Sequence, residues 1–183
     1  MQDRILPMNV YLYQYILATG VVALQAILAV IIILMILKKD TFLRKHFQKH
    51  GMKYALVAVI AALIGSLGFS EIYAYEPCKL CWVQRIFHYP QLILFVIALK
   101  YKDTRVWTYS IWLSVIGIVI GGYQVIMQFF PSFAPIEVCS IVPAAADCSD
   151  ILIQAFGYVS IPVMSVTLYA ALIVLFILQK NRT

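Results

Sequence analysis

Residues 76–90 read EPCKLCWVQRIFHYP and join two long apolar segments of the chain. The preceding segment, Tyr54–Tyr73, and the following one, Val83–Leu99, are each long enough to cross a bilayer core, which needs about 20 apolar residues with a range of roughly 17–25. The pair Cys78 and Cys81 therefore lies in a short loop between two predicted membrane helices. In a Cys-x-x-Cys spacing, such a pair is either a redox couple or half of a metal site.

The composition of the whole chain is that of a membrane protein. Of 183 residues, 63% are hydrophobic and 12% are charged, whereas a soluble domain has about 45–50% apolar and about 25% charged residues. Three more segments can span a membrane, namely Val10–Leu37, Val106–Phe130 and Tyr158–Leu178. Backbone groups in lipid must be paired internally, and the chain lacks the alternation of a β-barrel. The sequence thus predicts an all-α membrane protein with five spans in one membrane domain, residues 1–183.

The basic residues predict the orientation of these spans. The net charge is +6, but eleven of the 14 Lys and Arg residues fall in three clusters that follow the first, third and fifth spans. Such clusters mark the cytoplasmic ends of membrane helices, so they do not indicate a nucleic-acid partner. The N-terminus is therefore predicted to lie outside and the C-terminus inside.

This topology places all four cysteines on the extracytoplasmic face. Cys78 and Cys81 lie between the second and third spans, and Cys139 and Cys148 lie between the fourth and fifth. An even number of cysteines in a compartment that permits disulfides predicts two pairs. In the second of these loops, residues 151–156 are expected to form a short interfacial helix.

The third span has a polar stripe below the cysteine pair. At 100° per residue, Cys81, Gln84, Arg85, His88 and Gln91 share an arc of about 120°. Polar groups in a membrane helix are costly unless they face the bundle or a cavity, so the stripe is predicted to face inward. Arg85 lies one turn below Cys81, where a cation and a helix N-terminus together stabilise a thiolate.

Each of these features also has a purely structural interpretation. Arg85 could extend to the interface as an anchor, His88 could be bonded to a neighbouring helix, and Gln84 could hold helices together. Zinc binding by the cysteines is disfavoured because the second pair has a wider spacing than usual, and haem attachment because Trp82 follows Cys81. A static disulfide at either pair remains an alternative to thiol–disulfide exchange between the pairs.

Residues 76–90 resemble the signature Pro-Cys-x-x-Cys-(x)3-Arg of the DsbB family of membrane thiol oxidoreductases, and more closely its Gram-positive BdbC-like branch. The resemblance covers about residues 54–178, a four-helix transmembrane core to which residues 10–37 add one N-terminal helix. The relatives of vitamin K epoxide reductase share this chemistry, but their loop pair precedes the Cys-x-x-Cys motif. The order of the pairs in this chain favours the DsbB family.

The resemblance implies a location in the bacterial cytoplasmic (inner) membrane, a function and a set of site residues. Cys139 and Cys148 would take electrons from a DsbA/BdbD-like thioredoxin-fold protein and pass them to Cys78 and Cys81. Membrane quinone, either ubiquinone or menaquinone, would be the final acceptor. The quinone-contacting residues would be Cys81, Arg85 and His88, together with Gln84 and Gln124. Gln124 stands where many relatives have histidine.

Two other functions are open at this point. One is an outward transporter of thiol reductant, although such transporters generally need cysteines accessible from both faces. The other is a non-catalytic membrane scaffold with two structural disulfides. The scaffold predicts no quinone-dependent thiol oxidation, which separates it from the oxidase.

Overall fold

The computed structural model describes residues 8–37, 42–130, 148, 151 and 153–180. They form five long helices: α1 (Met8–Ile36), α2 (Phe42–Leu67), α3 (Lys79–Tyr101), α4 (Val106–Phe129) and α5 (Ile161–Lys180). All five are long and apolar enough to cross a membrane. The predicted fold class is therefore confirmed, with helix ends that differ from the predicted span ends by a few residues, except at α2.

Helix α2 begins well before the predicted span. It begins at Phe42 and carries the basic residues Lys45, Lys49 and Lys53 in its first half. At its other end, a π-helical turn (Gly68–Ile72) continues it almost to the cysteine loop. The helix is longer than the apolar segment because a helix can project from the bilayer with charged side chains in water.

Four of the helices form a bundle, and the fifth lies beside it. Helix α4 packs between α3 and α5, and α2 closes the ring through contacts with α3 and α5. Helix α1 packs on the outside, against α5 and α2. The main apolar core fills the half of the bundle near the basic ends, with Val59, Phe95, Trp107, Leu172 and Leu178 among its buried members.

The expected helix over residues 151–156 is wrong. Residues Gln154–Ala155 (β1) and Val159–Ser160 (β2) instead form a two-stranded antiparallel hairpin in which Ala155 pairs with Val159. The turn between them uses positive φ at Phe156 and at Gly157, a conformation that glycine adopts without steric cost. Ala155 and Val159 are buried against Ala18 of α1, so packing favours the hairpin.

Close approach of α4 and α5 depends on two glycines of α4, and a Cβ at the second, Gly121, would lie 2.8 Å from Val166 of α5. A Cβ at Gly117 would overlap the ring of Tyr169, which is fully buried between the helices. The hydroxyl of Tyr169 donates a hydrogen bond to the backbone O of Gln84 on α3, at 2.8 Å. Membrane helices associate through such close packing and interhelical hydrogen bonds, since lipid supplies no hydrophobic drive between them. Three helices therefore meet at Tyr169.

The pair Gly117→Ala and Gly122→Ala tests this packing. The first variant should destabilise the protein by about 1–3 kcal/mol because the added methyl displaces Tyr169. A Cβ at Gly122 meets nothing within 4 Å, so the second should be neutral or raise stability by up to about 1 kcal/mol. Thermal unfolding in detergent measures both. Equal melting temperatures for the two variants would contradict the proposed role of Gly117.

Candidate active site

The start of α3 holds the first cysteine pair. Cys78 is the N-cap residue, with extended backbone angles of φ −64° and ψ 167°, and Cys81 lies in the first turn. Both are free thiols, and their Sγ atoms are 3.1 Å apart. Because the N-terminus of a helix carries partial positive charge, this position favours a thiolate.

The two thiols have different environments. Cys78 is 4% exposed, and Cys81 is only partly buried. The Cys78 thiol donates its hydrogen bond to Cys81 Sγ. This bond, together with burial, raises the pKa of Cys78. Cys78 therefore stays protonated and donates this hydrogen bond, and Cys81 Sγ accepts it.

Gln124 on α4 contacts both sulfurs. Its Nε2 lies 3.2 Å from Cys78 Sγ and 3.5 Å from Cys81 Sγ. Its Oε1 accepts a hydrogen bond from Gln84 Nε2 at 2.6 Å. Because Gln84 occupies the oxygen, the amide group of Gln124 is oriented with its N–H donors toward the cysteines. From the sequence we expected a quinone contact at Gln124, and the contact with the sulfurs was missed.

Arg85 is held inside the protein. Its Nε donates to Ser66 Oγ at 2.9 Å, and its Nη2 donates to Ser66 O at 3.0 Å. The guanidinium carbon lies 5.1 Å from the centre of the Trp82 ring, a cation–π distance. With 8% of its surface exposed, Arg85 is not extended to the interface as an anchor. Ser66 is a partner that sequence reasoning missed, because a single serine in an apolar helix gives no signal.

The remaining residues of the stripe also face inward, as predicted. His88 is buried and its Nε2 lies 3.2 Å from Val59 O on α2, so this nitrogen carries the proton. Gln91 is fully buried, and its Oε1 accepts a hydrogen bond from Ser110 Oγ at 2.7 Å. Both residues thus have partners on neighbouring helices, and of the two only His88 also lines the cavity described next.

A cavity of about 330 Å³ adjoins the thiols. Its polar end is formed by Cys78, Cys81 and four side chains of the bundle: Gln84, Arg85, His88 and Gln124. The other walls are apolar and come from α1, α2 and α5, including Leu17, Val21, Ala62, Met164 and Leu168. All the described site residues predicted from the sequence, except Cys148, therefore border one cavity.

Cys148 lies behind the first pair. It is 1% exposed, disulfide-bonded, and packed in one buried cluster with Cys78 and Met127. The cluster is covered by Leu80 and Tyr123. Cys139 lies outside the described residues. The fold thus brings one cysteine of the second predicted pair beside the less exposed cysteine of the first.

Comparison with known proteins agrees with this architecture. The family model described as "Disulfide bond formation protein DsbB" matches residues 48–179, which leaves α1 before the matched region. The chain is 38% identical over 126 residues to disulfide bond formation protein C of Bacillus subtilis, covering 68% of this chain and 88% of the relative.

Two further relatives give the same result. A probable disulfide formation protein C of Halalkalibacterium halodurans is 39% identical over 66% of this chain and 84% of its own length. A probable disulfide formation protein C 1 of Bacillus anthracis is 37% identical over 76% of this chain and 99% of its own length. No solved structure matches the chain significantly.

These matches assign an oxidoreductase role in disulfide bond formation to a multi-pass protein of the bacterial inner membrane. The family match spans the helices that carry the two thiols, Gln84 and Gln124, and it includes all of the cavity lining except the part that comes from α1. The chain belongs to the DsbB family of disulfide bond formation proteins.

Proposed function

We propose that this protein reoxidises an extracytoplasmic thioredoxin-fold thiol oxidase of the DsbA/BdbD type and delivers the electrons to membrane quinone. One observation carries the proposal: a closely spaced pair of free thiols at a helix N-terminus borders a largely apolar cavity within the membrane helices. The same pair of thiols can then exchange electrons with a protein partner on the aqueous side and with a lipid-soluble acceptor in the membrane. The quinone is either ubiquinone or menaquinone.

The proposed relay uses the two pairs in sequence. A dithiol of the partner reduces the Cys139–Cys148 disulfide and becomes a disulfide itself. The Cys148 thiolate then attacks Cys78 of an oxidised Cys78–Cys81 pair, and Cys81 leaves as a thiolate. Cys139 attacks the mixed disulfide at Cys148, which restores the loop disulfide and leaves Cys78 and Cys81 reduced. Burial of Cys78 and Cys148 in one cluster supports this exchange.

The cavity fits a quinone in shape and chemistry. Its apolar walls suit a hydrocarbon tail, and its polar end offers N–H donors of the kind that ring carbonyl oxygens accept. A bound quinone would accept two electrons and two protons from the dithiol, which leaves a Cys78–Cys81 disulfide. Cys81, the more exposed of the two sulfurs, is the proposed contact.

The polar side chains around Cys81 have separate proposed roles. Arg85, fixed by Ser66, places a positive charge at the cavity wall, where it stabilises negative charge on the thiolate or on the ring. Gln124 donates hydrogen bonds to the sulfurs, and Gln84 keeps it oriented. His88 borders the same cavity while bonded to α2.

The proposal is tested with purified protein, a reduced DsbA-type partner and either quinone. We expect quinone-dependent reoxidation of the partner, which is monitored through the loss of quinone absorbance. Cys81→Ser should abolish turnover, because the thiol that meets the acceptor is removed. The scaffold alternative predicts no turnover by the wild-type protein with any such partner, and that result would refute the oxidase.

A second test concerns Gln124. Gln124→Leu removes the N–H donor to the sulfurs and should lower kcat by about 10-fold or more, since one hydrogen bond to a charged group contributes about 1.5–3 kcal/mol. Gln124→His keeps a donor at this position and should recover most of the rate. The titration curve of the dithiol, monitored through thiolate absorbance, should shift toward higher pH only in the leucine variant.

The two Gln124 variants also separate this role from a packing role. If Gln124 only filled space between α3 and α4, the leucine variant would fold well and keep the wild-type rate and pH profile. That outcome would contradict hydrogen bonding to the sulfurs as the function of this residue.

A further inference from the structure

Helix α1 supplies one wall of the cavity that borders the thiols. Five of its residues line the cavity, and they lie on one face of the helix: Ile16, Leu17, Gly20, Val21 and Leu24. The family match begins at residue 48, so this wall is an addition to the family's four-helix core. In this protein α1 covers the groove between the extracytoplasmic halves of α2 and α5.

The seam between α1 and α5 is closed. Gln25 Nε2 donates a hydrogen bond to Thr167 Oγ1 on α5 at 2.9 Å. Tyr158, just before β2, donates to Gln25 Oε1 at 2.7 Å. Nearer the extracytoplasmic end, Ala18 is buried against Ala155 and Val159 of the hairpin. Polar bonds and apolar packing together seal this side of α1.

At the outer end of the seam between α1 and α2, the Tyr73 hydroxyl donates a hydrogen bond to Asn9 O of α1 at 3.3 Å, and Tyr13 makes further contacts. The Tyr13 hydroxyl lies 3.1 Å from Ile64 O and 3.2 Å from Gly65 O, and its ring packs against Phe69 at 5.1 Å. These two tyrosines therefore close the extracytoplasmic end of the seam.

On the cytoplasmic side of Tyr13, the cavity opens between α1 and α2 at the lateral surface of the bundle. Gly20 on α1 and Ala61 on α2 both line the cavity and are both exposed. A Cβ at Gly20 meets nothing within 4 Å. Ile16, also a lining residue, is 61% exposed. Because these residues belong to membrane-spanning helices, the opening faces lipid.

The cavity has another exposed lining residue at its opposite end. Glu76, in the loop before Cys78, is exposed and charged, so that end opens toward water. A ligand with a polar ring at the thiols and a long hydrocarbon tail has only one suitable exit for the tail among the described residues, namely the seam at Gly20 and Ala61.

We propose that the seam between α1 and α2, at Gly20 and Ala61, is a side entrance to the cavity, and that the isoprenoid tail of the quinone extends through it. This inference rests on the proposed function for the identity of the ligand. In it, α1 covers the groove between α2 and α5 and leaves a defined entrance. Gly20 then sets the width of that entrance and the preference for tailed acceptors.

The test compares Gly20→Phe with Ala26→Phe, both in nanodiscs. Ala26 is exposed on α1 and does not line the cavity, which makes it a matched control for bulk added to the helix surface. Binding of menaquinone and of dimethylnaphthoquinone, the same ring without the tail, is measured by quenching of the native tryptophan fluorescence. Ubiquinone and its tailless ring are measured in the same way.

Gly20→Phe should weaken binding of the tailed quinone by about fivefold or more, which corresponds to about 1 kcal/mol and to the loss of one or two buried methylenes. Binding of the tailless ring should change by less than about twofold, because the ring lies at the thiols. Ala26→Phe should change neither. Equal weakening of both ligands, or no difference between the two variants, would refute the entrance.

The outcomes separate this inference from the proposed function. If the wild-type protein binds tailed quinone and Gly20→Phe weakens that binding, but no partner is oxidised, the entrance stands and the oxidase fails. If turnover is normal and Gly20→Phe binds tailed quinone as the wild type does, the oxidase stands and the entrance fails. If the wild type binds neither quinone, both are refuted.

Discussion

One constraint determines how the helices pack: the polar side chains of α3 must find hydrogen-bond partners inside the membrane bundle. An unpaired buried polar group costs about 1–3 kcal/mol, and water is absent from the lipid core. Arg85 bonds to α2, Gln84 to α4, and Gln91 to two serines of α4. These bonds lie on one face of α3, so they fix the rotation of the helix about its axis. That rotation directs Cys81 toward the cavity.

The same constraint links the fold to the chemistry. Gln84 is a packing residue because it bonds to Gln124, and it is also a positioning residue because that bond turns the amide of Gln124 toward the sulfurs. Arg85 likewise has a structural partner in Ser66 and a place on the cavity wall. The structural and functional interpretations of these side chains are therefore compatible. One set of hydrogen bonds stabilises the bundle and holds the dithiol in place.

Much of this arrangement could be predicted from the sequence. Long apolar segments predict five spans, and the helical period predicts the inward stripe of α3, because both depend only on local composition. Three features could not be predicted. The Arg85–Ser66 bond and the contact of Gln124 with the sulfurs join distant segments, and no local pattern reports them. The hairpin at residues 154–160 replaced an expected helix because it packs on α1, a contact that a short sequence window cannot show.

The order in which the two disulfides form tests the proposed relay most directly. Fully reduced protein is mixed with quinone, quenched with acid and an alkylating reagent at successive times, and mapped by mass spectrometry. If electrons pass through the proposed relay, the Cys78–Cys81 disulfide appears first and the disulfide of Cys148 later, and neither forms in Cys81→Ser. Formation of the Cys148 disulfide first, or at the wild-type rate in Cys81→Ser, would contradict the relay.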